Sequence, residues 1–181
     1  MEATTPTRER ILHATAELFR RQGYSGTGLK QVVAEAQAPF GSLYHHFPGG
    51  KQQLADEVIR TGGAFFQALV TAVYDDESTA EASVRAVFQG AAETLVSSDF
   101  QDACPITTVA LEVASTNDDL RRATAEVFEQ WTVALTDRLG DRGRALAVLA
   151  ALEGAFVLCR AQRTVEPMLA AGNMAAAHVA R

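Results

Sequence analysis

Apolar residues recur at three- and four-residue spacing along almost the whole chain, and no segment of any length alternates apolar and polar residues. The first pattern is typical of one face of an α-helix, whereas alternation is typical of a half-buried strand. The sequence therefore predicts an all-α protein of about nine helices. The first predicted helix has Thr5 as its N-cap and Pro6 at its first helical position, and it ends at Gly23.

Two short helices are predicted next. One begins near Thr27, whose hydroxyl can cap the first turn, and it ends around Ala36. The other begins at Pro39 and stops before Pro48. Two short helices joined by a tight turn and supported by a longer first helix form a helix-turn-helix. We therefore expect residues 1–50 to form a three-helix head.

Residues 51–181 are expected to form a helical body. Apolar stripes and their breaks predict six further helices, around residues 51–73, 84–95, 105–114, 120–139, 144–163 and 167–179. An acidic loop, Asp75-Asp76-Glu77, separates the first two of these. Gly62 and Gly63 fall inside the fourth helix of the chain, which we interpret as the only connection between head and body. They indicate either close helix packing or a soft joint.

The composition is that of an ordinary folded protein, because 48% of the 181 residues are hydrophobic and 21% are charged. The formal charge of −6 argues against a nucleic-acid partner only if it is spread evenly. Residues 1–60 hold seven Lys or Arg and six Asp or Glu, whereas residues 61–181 hold nine and sixteen. Residues 36–55 contain no Asp or Glu, so a polyanion can approach that segment.

The two cysteines, Cys104 and Cys159, lie far apart and lack the close spacing of a zinc or redox motif. His45 and His46 are adjacent, so they point to different helix faces, and no third ligand lies nearby. We therefore expect no metal and no cofactor. The sequence opens without the pattern of an export signal, and its longest apolar run, residues 145–159, is shorter than the roughly 20 residues of a membrane span. These features predict a cytoplasmic protein without a membrane partner.

The third helix carries the chemistry that DNA requires. A helix-turn-helix places its second helix in the major groove, where short polar side chains and cations contact bases and phosphates. Ser42 can donate to a base edge or a phosphate, and Tyr44 and His45 can hydrogen-bond phosphate oxygens. Lys51 begins the fourth helix, where the helix dipole favours anions, and Lys30 can reach phosphate or guanine. A position in the core of the head is the alternative for Tyr44.

Several runs match a known family pattern: Arg10-Ile11-Leu12, Ala16-Glu17-Leu18-Phe19, Gly23-Tyr24 and above all Gly41-Ser42-Leu43-Tyr44-His45-His46-Phe47-Pro48-Gly49-Gly50-Lys51. With them, residues 8–54 resemble the DNA-binding head of TetR-family transcriptional repressors. The extra glycine before Lys51 and the runs Cys104-Pro105, Val109-Ala110-Leu111-Glu112 and Leu152-Glu153-Gly154-Ala155 are similar to the LmrA/YxaF-like subgroup. The resemblance thus covers most of the chain.

The resemblance implies which side chains lie near DNA. The implied base-proximal residues are Lys30, Phe40, Ser42 and Tyr44, and the residues at or near phosphate are Thr27, His45, His46 and Lys51. The sequence departs from the family pattern in the turn, where Gln37-Ala38-Pro39 replaces a glycine-centred triplet. It departs again at Phe40, where a basic or polar residue is common. Phe40 can instead contact a thymine methyl group.

One short recognition helix reads few bases, so we expect a homodimer on a palindromic DNA operator. The helix around residues 145–159 is apolar on nearly every face and is the predicted dimer surface; a helix buried within the monomer is the alternative. The predicted interface residues are Ala147, Leu149, Ala151, Leu152, Gly154 and Phe156. The resemblance also implies a pocket for a small apolar or aromatic effector, for which the candidates are Phe66, Phe88, Leu95, Val109, Phe128 and Trp131; core positions are the alternative for these side chains.

The leading hypothesis is a dimeric transcriptional repressor that an effector releases from DNA. An enzyme is not expected, because the sequence shows no nucleophile with an adjacent base, no carboxylate pair in a cleft motif and no phosphate loop. The remaining alternative is an all-helical ligand-binding or interaction module with weak or lost DNA binding. Phe40 and the small number of cations in the head favour that alternative.

Overall fold

In the computed structural model, residues 5–76 and 79–180 are described; Glu77 of the acidic loop lies outside them. The described residues form nine helices and no strand, as the periodicity predicted. The helices are α1 (Thr7–Gln22), α2 (Leu29–Glu35), α3 (Phe40–His46), α4 (Gly50–Asp76), α5 (Ala80–Ser97), α6 (Pro105–Val113), α7 (Asp118–Leu139), α8 (Arg142–Gln162) and α9 (Glu166–Val179).

The predicted starts of the first three helices were displaced by one or two residues. Pro6 and Pro39 are N-caps with extended ψ angles of 143° and 141°, rather than first helical residues. Proline is tolerated there because the N-cap needs no backbone N–H of its own for the helix. Thr27 does not cap α2, whose N-cap is Gly28. Its hydroxyl instead donates to the Gly23 carbonyl at 2.7 Å.

The chain divides into two compact units. The first comprises Met1–Gly62 and Pro105–Ala125, and the second comprises Gly63–Cys104 and Glu126–Arg181. The chain therefore passes between the units three times, within α4, before α6 and within α7. The interpretation of α4 as the only connection was wrong, because α6 and the start of α7 fold with the N-terminal helices. A functional boundary at residue 50 stays a prediction.

The core of the first unit is formed by α1, α2, α3 and the start of α4. The fully or almost fully buried side chains include Ile11, Leu18, Val32, Leu43, Phe47 and Leu54. Helix α6 packs against α1, and the Glu112 carboxylate accepts a hydrogen bond from the Ser25 backbone N–H at 2.6 Å. Gly23 has a φ of +75°, and a Cβ at that position would collide with Glu112. The turn after α1 therefore requires glycine.

Two glycines of the second unit lie at close helix contacts. A Cβ at Gly172 in α9 would lie 2.7 Å from the Cβ of Phe88 in α5. A Cβ at Gly63 in α4 would lie 2.5 Å from a methyl carbon of Val127 in α7. Each glycine therefore lets two helices approach more closely than any other residue permits. Gly62 is different, because no atom lies within 4 Å of a Cβ built there.

Candidate nucleic-acid interface and ligand cavity

The turn between α2 and α3 is fixed by a residue in a left-handed conformation. Gln37 has a φ of +49°, the conformation that glycine adopts at least cost. The Arg10 side chain donates to the carbonyls of Ala36 and Gln37 at 3.0 and 3.3 Å, and to the Thr5 carbonyl at 2.9 Å. These bonds satisfy carbonyls at the end of α2 and hold the turn. The turn thus keeps its geometry although it lacks the usual glycine.

Helix α3 has an apolar inner face and an aromatic outer face. Leu43 and Phe47 are fully buried in the core of the first unit. Phe40 and Tyr44 are 44% and 48% exposed, and their rings pack edge to face with centroids 5.7 Å apart. They share a face because they are four residues apart on one helix. Tyr44 is therefore not a core residue.

The remaining predicted contact residues on α2 and α3 are also accessible. Lys30 and His45 are exposed, and Ser42 and His46 are half-buried. The rings of His45 and His46 lie edge to face at 5.0 Å. No group of three or more metal-ligating side chains occurs within the described residues. The helix-turn-helix thus presents a mixed aromatic and polar surface.

Thr27 and Lys51, which are expected at or near phosphate, both have contacts within the protein. The Thr27 side chain is buried and its hydroxyl is used by the Gly23 carbonyl, so it is not available to a ligand. The Lys51 ammonium lies 4.3 Å from the centre of the Tyr24 ring. Desolvation lowers the pKa of Lys51, and the charge of Glu112 acts in the opposite direction. The contacts of Lys51 could not be predicted from the sequence, because Tyr24 and Glu112 are distant from it along the chain.

Most cations of the first unit already have partners. Arg8 pairs with Glu57, and Arg60 pairs with Asp56 at 3.0 Å. Arg20 and Arg21 both pair with Glu17. Among the described residues, Lys30 has neither a hydrogen bond nor an ion pair through its side chain. Lys30 is thus the cation of the helix-turn-helix that is available for an anion.

A cavity lies within the second unit. Four helices, α4, α5, α7 and α8, supply its walls, which are mostly apolar. The lining residues are Phe66, Gln67, Val70, Thr71, Tyr74, Val84, Val87, Trp131, Ala134, Leu135, Arg138, Val148, Leu149 and Leu152. The space between the walls is about 530 Å³, including a part open to solvent. The space is narrow, so an occupant larger than a water molecule must part the walls.

The cavity contains only two of the six predicted ligand residues, Phe66 and Trp131. Phe88 and Leu95 are buried in the core of the second unit, and Val109 belongs to the first unit. Phe128 packs edge-on against Trp131 at 5.7 Å but does not line the cavity. These four side chains therefore lie outside this cavity, although Phe88 lines a separate, more open groove between α5 and α9. Their role in effector binding stays a prediction. Apolar spacing marks burial but does not distinguish a cavity wall from a filled core.

Trp131 joins the cavity to α4. Its ring lies 4.7 Å from the ring of Phe66, measured between centroids. Its indole N–H donates to the Gly63 carbonyl at 2.8 Å. Gly63 lies at the point where α4 passes from the first unit to the second. A ligand that moves Trp131 therefore acts directly on the backbone of α4.

Tyr74 provides the cavity with a buried hydroxyl. The residue is only 8% exposed, and its hydroxyl has no hydrogen-bond partner within the described part of the chain. Burial raises the pKa of Tyr74 to about 12, although the charge of Arg138 acts in the opposite direction. Arg138 itself pairs with Asp75. The cavity thus contains the neutral phenol of Tyr74 and the positive charge of Arg138, which Asp75 balances.

Helix α8 has one face inside the protomer and an apolar face outside. Three of the predicted interface residues, Leu149, Leu152 and Phe156, are buried within the protomer, which corrects their assignment to the dimer surface. The other three remain accessible, because Ala147 and Gly154 are exposed and Ala151 is half-buried. Exposed apolar side chains lie on the same helix: Leu146, Val157 and Leu158.

The length of α8 also corrects an expectation. The helix has 21 residues, so by length and composition it could cross a membrane, although the apolar run in the sequence was shorter. One third of its most apolar window is buried inside the protein. A core helix meets the same criteria of length and hydropathy. The helix therefore carries no argument for a membrane location.

Comparisons with known proteins agree with this architecture. Residues 11–58 match the TetR family of bacterial regulatory proteins, and residues 80–174 match the C-terminal domain of LmrA/YxaF-like transcriptional regulators. An HTH-type transcriptional regulator of Mycobacterium tuberculosis is 34% identical over 174 residues, 89% of this chain and 88% of that protein. The HTH-type transcriptional regulator YxaF of Bacillus subtilis is 30% identical over 177 residues, 93% of both chains.

A solved structure shares the fold. The regulatory protein TetR from Rhodobacter sphaeroides superposes with a TM-score of 0.87 at 22% identity, over 95% of this chain and 98% of that one. The helix-turn-helix, the matched families and the relatives lead to one assignment. The chain belongs to the TetR family of bacterial transcriptional regulators and combines the DNA-binding head of that family with an LmrA/YxaF-like C-terminal domain.

Proposed function

We propose that this regulator is a repressor that binds a palindromic operator as a homodimer and is released by a small apolar effector. The observation that carries the DNA-binding part is the outer face of α3. Phe40 and Tyr44 are large, exposed and adjacent there, on a helix whose opposite face is buried. Exposed aromatic pairs mark interaction surfaces, and the surrounding residues 36–55 contain no carboxylate that would repel DNA.

The side chains on this surface suit the major groove. Tyr44 and Ser42 can donate to phosphates or base edges, and Phe40 can contact a thymine methyl group. Lys30 is available to neutralise a phosphate, whereas Lys51 must leave the Tyr24 ring to do so. We expect about two to four neutralised phosphates per protomer, and therefore a modest dependence of affinity on salt.

A second copy of the chain is the proposed partner for α8. Leu146, Val157 and Leu158 are exposed on α8, and Met174 is exposed on α9, which packs against α8. Small residues such as Gly154 on the same surface let another helix approach closely. A two-fold dimer uses the same patch twice, so one self-complementary apolar face is sufficient. If the protomer core covers one side of α8 and a second copy covers the other, the high mean hydropathy of the helix needs no membrane. The proposed dimer therefore fits a cytoplasmic regulator.

Release by an effector is supported by the cavity. Trp131 lines the cavity, and its indole N–H donates a hydrogen bond to the Gly63 carbonyl of α4. Helix α4 is continuous over 27 residues, with Lys51 near one end and Tyr74 near the other. An effector lowers DNA affinity only by as much as it prefers the unbound conformation. Parting the cavity walls next to α4 is a physical source of that preference.

The DNA-binding proposal is tested by fluorescence anisotropy with a labelled duplex from the region upstream of the protein's own gene. Lys30→Ala should weaken binding and reduce the slope of log affinity against log salt by about 2 per dimer, one phosphate contact per protomer. Ser42→Ala should weaken binding without changing the slope. Arg144→Ala is the matched control, because it removes the same charge from α8 in the second unit.

If Arg144→Ala and Lys30→Ala lower affinity equally, net charge rather than the helix-turn-helix governs binding, and the proposal fails. Salt-insensitive or sequence-blind binding favours the alternative, an all-helical ligand-binding or interaction module. The observation behind that alternative is the small number of available cations in the first unit. Relatives in this family are transcriptional regulators, and we assign no catalytic activity to the chain.

A further inference from the structure

The cavity of the second unit combines three features that restrict its occupant. Its walls are mostly apolar, its cation Arg138 is paired with Asp75, and the Tyr74 hydroxyl lacks a partner among the described residues. The first two features disfavour an anionic ligand, since an anion would lose its hydration without gaining an available cation. The third feature favours a ligand with one polar atom that can reach the Tyr74 hydroxyl.

The Tyr74 hydroxyl is a hydrogen-bond donor at neutral pH. A phenol donates through its O–H, and burial keeps this one protonated by raising the pKa of Tyr74 to about 12. A buried hydroxyl without a partner is unfavourable, so a ligand that supplies an acceptor gains more than one that supplies only apolar surface. The hydroxyl oxygen is closed off from solvent in this conformation, so the bond forms as the walls part.

The rings of Phe66 and Trp131 define a second contact. Their centroids are 4.7 Å apart and their planes are tilted by 46°, which leaves an aromatic wall in the cavity. Aromatic rings prefer offset or edge-to-face contacts with one another. A flat ring in the ligand therefore fits this wall better than a bulky aliphatic group.

From these features we infer that the effector is a neutral, largely apolar aromatic molecule with one hydrogen-bond acceptor, such as a carbonyl oxygen, that binds the Tyr74 hydroxyl. This inference rests on the proposed function in that the cavity is taken as the effector site. It assigns Tyr74 as the residue that determines the polar part of effector specificity. Phe66 and Trp131 recognise the ring.

The test uses two probes of equal size, acetophenone and ethylbenzene, which differ in whether a carbonyl or a methylene follows the ring. Benzoate is the anionic probe. Dissociation constants are measured by ligand-observed NMR titration of the full chain. The expected result is that acetophenone binds about 5- to 10-fold more tightly than ethylbenzene, the contribution of one buried hydrogen bond, and that benzoate binds most weakly.

Tyr74→Phe should remove the preference for acetophenone while retaining ethylbenzene binding, because it deletes only the hydroxyl. Tyr24→Phe is the matched control, since Tyr24 lies in the first unit, and it should keep the preference. Thermal unfolding verifies that both variants are folded; Tyr74→Phe is expected to melt no lower than the wild type. Equal binding of the two neutral probes, a preference that survives Tyr74→Phe, tightest binding of benzoate, or no binding by any probe would each overturn the inference.

Operator affinity measured with the same probes separates this inference from the proposed function. If both neutral probes bind equally and release DNA, effector control stands and the role of Tyr74 fails. If acetophenone is preferred through Tyr74 but leaves operator affinity unchanged, the specificity of the cavity stands and effector release fails.

Discussion

The two adjacent glycines of α4 should respond in opposite ways to the same substitution. A Cβ at Gly63 would lie 2.5 and 2.9 Å from the two methyl carbons of Val127 and 3.3 Å from its Cβ. Real Cβ atoms do not approach that closely, so one of the two helices must move. A Cβ at Gly62 meets no atom within 4 Å. Gly62→Ala and Gly63→Ala thus differ in packing and share the change in backbone entropy.

The magnitudes follow from these two terms. Alanine in place of glycine inside a helix gains about 1 kcal/mol, so Gly62→Ala should stabilise the folded protein by that amount through α4. At Gly63 the same gain is opposed by overpacking, which costs about 1–3 kcal/mol. Val127 is β-branched and restricted to one rotamer in a helix, so it cannot rotate both methyls away. Gly63→Ala should therefore be neutral to destabilising, by up to about 2 kcal/mol.

Thermal unfolding followed by circular dichroism measures the difference. For a chain of this size, 1 kcal/mol corresponds to a shift of roughly 2–4 °C in Tm. Trp131 provides a local signal, because its indole N–H donates to the Gly63 carbonyl and it is the one tryptophan of the chain. Its emission should change in Gly63→Ala and stay the same in Gly62→Ala.

A double-mutant cycle identifies Val127 as the cause. In the background of Val127→Ala, which removes both methyl groups, Gly63→Ala should become stabilising by about 1 kcal/mol, like Gly62→Ala in the wild type. The coupling energy should then equal the overpacking cost, about 1–3 kcal/mol. If Gly63→Ala raises Tm as much as Gly62→Ala in the presence of Val127, the close contact does not constrain the protein and the reasoning fails.

Three further outcomes are expected. Gln37→Gly should stabilise the first unit by about 1 kcal/mol in urea unfolding, because glycine adopts the positive φ of the turn without strain; an unchanged midpoint would contradict this. The pKa of Tyr74 is higher in the folded than in the unfolded protein, so its contribution to the free energy of unfolding is complete below pH 10 and is lost as pH rises towards 12. The free energy of unfolding of the wild type should therefore fall more over that range than that of Tyr74→Phe. Both thiols are buried and burial raises the pKa of Cys159, so a thiol reagent at pH 7 should react with native protein far more slowly than with unfolded protein.

Helical periodicity was sufficient to predict the all-α fold, whereas the proposed DNA contacts of Phe40 and Tyr44 came from the family resemblance. The structure buries Leu43 and Phe47 in the core and leaves Phe40 and Tyr44 exposed on the other side of the same helix. Thr27 and Lys51 could not be placed in this way. The Lys51 contact with Tyr24 depends on how the turn after α1 meets the start of α4, and the Thr27 hydroxyl bonds back to Gly23 within its own turn instead of capping α2.

The cavity was harder to predict because α4 carries two neighbouring apolar stripes. Phe66, Val70 and Tyr74 form one, which lines the cavity, while Phe65 and Leu69 belong to the other, which is exposed. Both stripes have four-residue spacing, so periodicity favours neither. Helix α8 poses the same problem, since it is apolar on nearly all sides. Leu149 and Leu152 were therefore assigned to the dimer surface although they line the cavity.

The hydrogen bond from Ser25 to Glu112 has a consequence for engineering chimeric regulators. Transplanting only the N-terminal segment onto another protein would leave the turn after α1 without the α6 carboxylate that fixes it. The transferable module is discontinuous: residues 5–62 together with 105–125. A chimera designed with both segments should keep the operator preference of the donor. A fusion cut at residue 50 should contain a less stable three-helix head.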